Sequence, residues 1–158
     1  MHVADFGCGS GFYSLAAAHR VGSRGRVAAI DVQKELLDKL QEQARRDHIT
    51  NIDVIWGDID EVGGTKLADL SQDAAIASNV LFQSENKDAI ASECARIVKS
   101  GGLILVIDWS DSFGNLGPHP DHVVTEETAT SYFTTAGLTF EERFDAGEHH
   151  YGLLFRKP

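Results

Sequence analysis

The chain is poor in the residues that build special scaffolds. Its 158 residues include two cysteines, Cys8 and Cys94, three prolines and one methionine. Two thiols make no disulfide framework. No apolar run approaches the roughly eighteen residues of a membrane span. The first residues carry no basic region and enter an acid and glycines at once, so they do not read as a signal peptide. Together these absences place the chain in the reducing cytoplasm. Cations are also scarce: 14 Lys and Arg stand against 24 Asp and Glu, for a net charge of −10. An acidic surface repels phosphate backbones, which argues against a nucleic-acid partner. The nearest thing to a basic patch, Arg20, Arg24 and Arg26 with the Arg45–Arg46 pair, reads as solvated loop and helix-end residues.

What is present is an ordinary globular composition, 42% hydrophobic. A chain of this length reads as one domain over 1–158, able to bury roughly two-thirds of its unfolded surface. Hydrophobic periodicity alternates strands and helices. Strands are expected near 1–6, 26–31, 52–56, 73–79 and 103–109, and helices near 12–20, 33–46 and 85–99. A short helix is expected near 66–70. Ser100-Gly101-Gly102 is expected to stop the third long helix. After a loop at 110–124, Thr125 caps a helix over 126–136. Two final strands, 138–144 and 149–157, are joined by a link too short for a crossover. The pattern predicts an α/β, mostly parallel sheet with helices on both faces and one antiparallel strand.

Ligands of such sheets sit beyond the carboxyl ends of the strands. The first strand ends in VADFGCGSG, with Gly7, Gly9 and Gly11 on alternate positions and Asp5 before them. Glycines there let backbone approach a ligand closely. Asp31 ends the second strand, where a carboxylate can accept two hydrogen bonds from a ribose diol. Asp58 ends the third and could accept from an adenine amine. A dinucleotide oxidoreductase is the rival reading. Its fingerprint, G-x-G-x-x-G, places the third glycine where this chain has Phe12.

These motifs resemble the class I S-adenosylmethionine-dependent methyltransferase family. VADFGCGSG is similar to its first motif, IDVQKELL to its acidic second-strand motif and WGDIDE to its third. DAAIASNVLF and ARIVKSGGLILVIDW resemble the corresponding region of its ubiquinone/menaquinone-biosynthesis-like, small-molecule branch. The resemblance covers residues 3 to about 109. It implies a Rossmann-like, doubly wound seven-stranded sheet of order 3-2-1-4-5-7-6, with strand 7 antiparallel. It implies S-adenosyl-L-methionine as cofactor, with Asp5 orienting the glycine turn and Phe6, Gly7, Cys8 and Gly9 against the methionine part. Gly11 completes the turn. Asp31 would bind the ribose, Val32 and Gln33 flank the adenine, Asp58 with Ile59 take the adenine edge, and Asn79 lie near the methionine amino group. A non-catalytic cofactor-binding module remains the alternative within this fold.

The acceptor is not dictated by the cofactor. Asn79-Val-Leu-Phe82 lacks the prolines that accompany amino methylation of bases, no cysteine stands there for carbon-5 methylation of pyrimidines, and arsenite methylation needs more thiols. What remains is a small-molecule or undetermined acceptor. Phe82, Asp108, Trp109 and the 110–122 loop are the substrate-side candidates. His119 and His122 lack a third metal ligand and read as surface. Of His149 and His150, adjacent on a strand, at most one faces any given site. Family members generally carry helices before strand 1 that fold over the cofactor. Here the first motif starts at residue 3, so either the chain is truncated or its methyl-donor end is open, to be covered by the 110–124 loop, a second subunit or a large substrate.

Overall fold

A computed structural model describes residues 1–158. Seven strands, β1 (His2–Phe6), β2 (Arg26–Asp31), β3 (Ile52–Trp56), β4 (Gln72–Ser78), β5 (Val98–Trp109), β6 (Thr139–Asp145) and β7 (His150–Arg156), form one sheet. Its order is β3-β2-β1-β4-β5-β7-β6. β7 runs antiparallel to both neighbours, and the remaining pairs are parallel. Four helices connect them: α1 (Phe12–Val21), α2 (Lys34–Arg46), α3 (Lys87–Ile97) and α4 (Glu126–Thr135).

Strand alternation sorts side chains between two faces. One register row runs Val54, Ala29, Asp5, Ile76, Leu105 and Leu154. On that face α1 and α2 enclose a small core of Cys8, Ala29, Leu37 and Leu40. The opposite face carries the main core. Phe6, Ile30, Ile104 and Phe155 pack there with Ile90, Cys94 and Ile97 of α3 and Phe133 of α4. Each fully buried Ile, Leu or Phe contributes about 1.5–3 kcal/mol. Thr125 caps α4 by accepting the Thr128 amide, as its residue type leads one to expect.

Three segments depart from the sequence reading. Residues 66–70 form no helix. Instead the buried Glu93 carboxylate gathers the loop, accepting from Gly63 N at 2.7 Å, from the Thr65 amide and hydroxyl, and from Arg96 Nε at 2.8 Å. Arg96 also reaches Leu67 O and Asp69. These bonds hold Glu93 down to a pKa of about 2 despite its burial. Second, α3 ends at Ile97, before the glycines. Val98 is already extended and pairs with Gln72. Gly101, at φ 80°, turns the chain inside β5, where its amide bonds Lys157 O at 2.7 Å. Third, β4 stops at Ser78 because Asn79 takes φ 55°, outside the strand region.

Candidate functional site

The carboxyl ends of β1, β2, β3 and β4 converge on two cavities, of about 400 and 380 Å³. They meet at Gly7 and Gly9, which line both. Gly7 and Gly9 have φ of 65° and 53°, a region that favours glycine. A Cβ on Gly7 would press to 2.6 Å from Val80 Cγ1, whereas one on Gly9 would enter open space. Gly9 is therefore the glycine whose missing side chain leaves room at the junction.

The first cavity collects Asp31, Val32, Gln33, Asp58 and Ile59, all named from the sequence. Asp31 Oδ2 accepts from Gly9 N and Oδ1 from Gln33 N, both at 2.9 Å. The carboxylate is thereby fixed in orientation, and each oxygen keeps acceptor capacity for a ligand. Asp58 Oδ1 accepts from Asp60 N at 2.9 Å, which shapes the turn after β3. Asp60 then anchors the start of the next segment through Ser84 Oγ at 2.7 Å. Leu36, Asp60, Val80 and Gln83 also line it. Sequence reasoning did not name them, although each lies within a few residues of a strand end or a named residue.

The second cavity takes in Asp5, Cys8 and Asn79, with Phe12, Tyr13, Ser78, Ile107 and His150. Asp5 is buried and accepts from Ser14 Oγ at 2.6 Å, so it ties β1 to α1 beneath the turn. Burial outweighs that bond and raises its pKa to about 6. Burial pushes the Cys8 thiol up as well, so it stays protonated near neutral pH.

Other residues named from the sequence lie outside both cavities. Phe6 is fully buried in the main core and lines neither cavity. It ends β1 with its side chain on the α3–α4 side of the sheet, so only its backbone neighbours the turn. Gly11 lines neither cavity either: at φ 92° it heads α1, and a Cβ there would collide with Leu40. Its role is to let α1 pack against α2. Asp108, a substrate-side candidate, lines neither cavity. It is fully buried and accepts from Leu81 N at 2.9 Å and Trp109 N at 2.8 Å, holding the chain after β4. Its burial raises its pKa to about 6. Phe82 and His122 border a separate cavity beside α4.

Neither cavity presents a lysine or arginine, while Asp31, Asp58 and Asp60 line the first and Asp5 the second. Such a site suits a cation and offers no basic side chain to a pyrophosphate. A family model described as a methyltransferase domain matches residues 1–148. The chain belongs to the class I S-adenosylmethionine-dependent methyltransferase family. It is 28% identical to an arsenite methyltransferase of Halobacterium salinarum over 77% of this chain and 29% of that protein. It is 30% identical to a ubiquinone/menaquinone biosynthesis C-methyltransferase of Hydrogenovibrio crunogenus, over 68% of this chain and 42% of that one. The chain thus spans less than half the length of these curated relatives. A solved S-adenosylmethionine-dependent methyltransferase from Aquifex aeolicus superposes with a TM-score of 0.88 at 25% identity, covering 98% of this chain and 81% of that one. As in other methyltransferases of this family, the strand order is the one the resemblance implied. No helix is long and apolar enough to cross a membrane.

Proposed function

We propose that residues 1–158 act as one S-adenosylmethionine-binding domain that transfers a methyl group to a small-molecule acceptor. The observation that carries this reading is the pair of acid-lined cavities joined at Gly9. When bound, S-adenosylmethionine supplies a methyl group already activated on a cationic sulfur. In this reading Asp31 accepts the ribose hydroxyls, and Val32 with Ile59 holds the adenine ring. Asp58 accepts from its exocyclic amine. The methionine part crosses Gly7, Cys8 and Gly9 into the second cavity, toward Asp5 and Asn79. Phe6 and Gly11 act behind these residues, as packing.

Because the donor is activated, positioning and exclusion of water carry much of the rate. The relatives' names include arsenite and quinone biosynthesis among their chemistries, and both are small molecules. This chain's own thiols do not form an arsenite site. Cys8 lies in the glycine turn under α1 and α2, and Cys94 is fully buried on the other face of the sheet.

The second cavity needs a cover. Phe12 is 76% exposed at its edge, and Ile76, Leu105 and Leu154 form a half-buried apolar row in register with Asp5 on the same face of the sheet. A second subunit or a large substrate would bury them. The free, buried cysteines fit a cytoplasmic setting. Calorimetric titration with S-adenosylmethionine, S-adenosylhomocysteine and NAD tests the cofactor. A tritiated-methyl transfer screen over phenols, amines and arsenite tests the acceptor. Binding of NAD alone would refute the reading. Tight S-adenosylhomocysteine binding with no turnover on any acceptor would favour a non-catalytic binding subunit.

A further inference from the structure

Buried polar side-chain atoms have hydrogen-bond partners throughout this chain with three exceptions: Ser78 Oγ, Asn79 Oδ1 and His150 Nε2. An unpaired buried polar group costs about 1–3 kcal/mol, so such atoms are rare without a reason. All three residues line the second cavity. Their convergence points to a ligand that supplies the missing partners. Asn79 and Ser78 stand at the β4 end, next to the glycine turn. His150 stands on the far wall, away from the adenosine side.

The topology explains how a histidine reaches that wall. β7 is the antiparallel strand, so its first residue, not its last, arrives at the edge where the parallel strands end. Alternation then separates two neighbours. His149 bonds Asp111, Nδ1 to Oδ2 at 3.0 Å, and stacks on Phe113 with ring centroids 3.8 Å apart. His150 lies in the cavity, its ring 4.2 Å from that of Trp109, its register partner on β5. Trp109 holds the imidazole from one side. Phe12 and Tyr13 of α1 line the same cavity and suit a flat acceptor.

The charged and titratable groups around His150 are His149 on its own strand, Asp111 after β5, and Asp5 and Tyr13 on the cavity wall formed by β1 and α1. Burial and His149 lower the His150 pKa, and Asp111 opposes them more weakly. This direction favours the neutral ring, and in its Nδ1-protonated tautomer Nε2 is an acceptor.

We propose that His150 is the proton acceptor for the methyl acceptor, which is a compound whose nucleophile carries a proton on oxygen or nitrogen. This rests on the methyl-transfer reading above. The acceptor's lone pair forms the bond to the methyl carbon, the carbon–sulfur bond breaks with its pair going to sulfur, and the acceptor's proton passes to Nε2. The positive charge that leaves sulfur thus reappears on the imidazolium. Ser78 Oγ orients the acceptor beside it, while Asn79 Oδ1 faces the methionine part of the cofactor.

The test uses the full chain with ¹⁵N-labelled histidine rings and S-adenosylhomocysteine bound, the His150 signals assigned through His150→Asn. Phenol and benzylamine are titrated in as probes. At least one should move the His150 Nε2 resonance while His119, on the exposed loop, stays still. Phenol alone assigns a hydroxyl acceptor, benzylamine alone an amine. No movement with either, S-adenosylhomocysteine being bound, overturns the proposal and leaves the cofactor reading intact. Failure of S-adenosylhomocysteine to bind at all sinks that reading, and this proposal with it. For any probe that is methylated, His150→Asn should lower kcat by about 100-fold or more, abolish the acidic limb of the pH–rate profile and leave S-adenosylhomocysteine affinity within about twofold. A variant with unchanged kcat and the same acidic limb contradicts it.

Discussion

Replacing Asp31 by Ala should separate cofactor binding from folding. The carboxylate carries two bonds in the free protein, from Gly9 N and Gln33 N, each 2.9 Å long. It lies at the cavity that we assign to the ribose. Truncation removes the acceptor of the diol and also releases the Gly9 amide, which shapes the junction between the two cavities. A hydrogen bond to a charged group is worth about 1.5–3 kcal/mol, and one to a neutral group about half that. The loss in S-adenosylhomocysteine affinity should therefore be about 1–3 kcal/mol, or about 5- to 150-fold in Kd. The two released amides can reach water at this half-open site, so global stability should fall by only about 1–2 kcal/mol. Isothermal titration gives the first quantity and urea unfolding the second. An affinity within twofold of wild type would refute the placement of the ribose. A stability loss that accounts for the whole affinity loss would make Asp31 a turn residue only.

The two glycines should behave differently. Gly9→Val should abolish S-adenosylhomocysteine binding while circular dichroism shows a folded chain, because its side chain enters open space at the junction and a φ of 53° strains valine's backbone in the turn; retained binding would contradict that. Gly11→Ala should lower stability through the clash with Leu40, and a variant as stable as wild type in urea would remove the packing role. Glu93→Ala should cost about 1–3 kcal/mol, since it frees the 63–67 loop amides while Arg96 keeps Leu67 O and Asp69; a loss below 1 kcal/mol (roughly a surface-pair value) would deny the network that role. The pH profile follows from opposite shifts. Glu93, held near pKa 2, adds stability above its unfolded pKa that is lost as pH falls toward 2. Asp5, raised to about 6, binds its proton more tightly when folded, so its contribution is present below pH 3.8 and lost as pH rises through 6. Asp5→Asn should lessen the fall in stability between pH 4 and 6, with Asp108, also raised to about 6, supplying the slope that remains, and an unchanged slope there would refute the raised pKa of Asp5.

The sheet was legible because its signals are local. Alternating apolar runs, glycine turns and the hairpin link each lie within about ten residues, and a parallel sheet follows from their order. Asp31 and Asp58 were legible for the same reason: a strand-end acid is identified by the strand before it. What stayed hidden depends on distance or direction. The Glu93 carboxylate binds Gly63, thirty residues away, so the loop it organises looked like a weak helix. Phe6 and Asp5 are adjacent, yet alternation sends one to the main core and the other to the cavity side. Gly11 looked like part of the ligand turn, but the side chain that requires it to be glycine is Leu40, on another helix. Asp108 stood among the substrate-side candidates, but both its carboxylate oxygens bond backbone amides and hold the chain after β4. His150 could be narrowed only to one of two neighbours, because the end of β7 that reaches the site depends on how the hairpin inserts beside β5.

Isothermal titration with S-adenosylhomocysteine and, separately, NAD tests the central claim most directly. The acid-lined cavities joined at Gly9 predict saturable binding of S-adenosylhomocysteine, displaced by S-adenosylmethionine, and no heat from NAD. Saturable NAD binding, or no binding of either sulfur compound, would contradict the account.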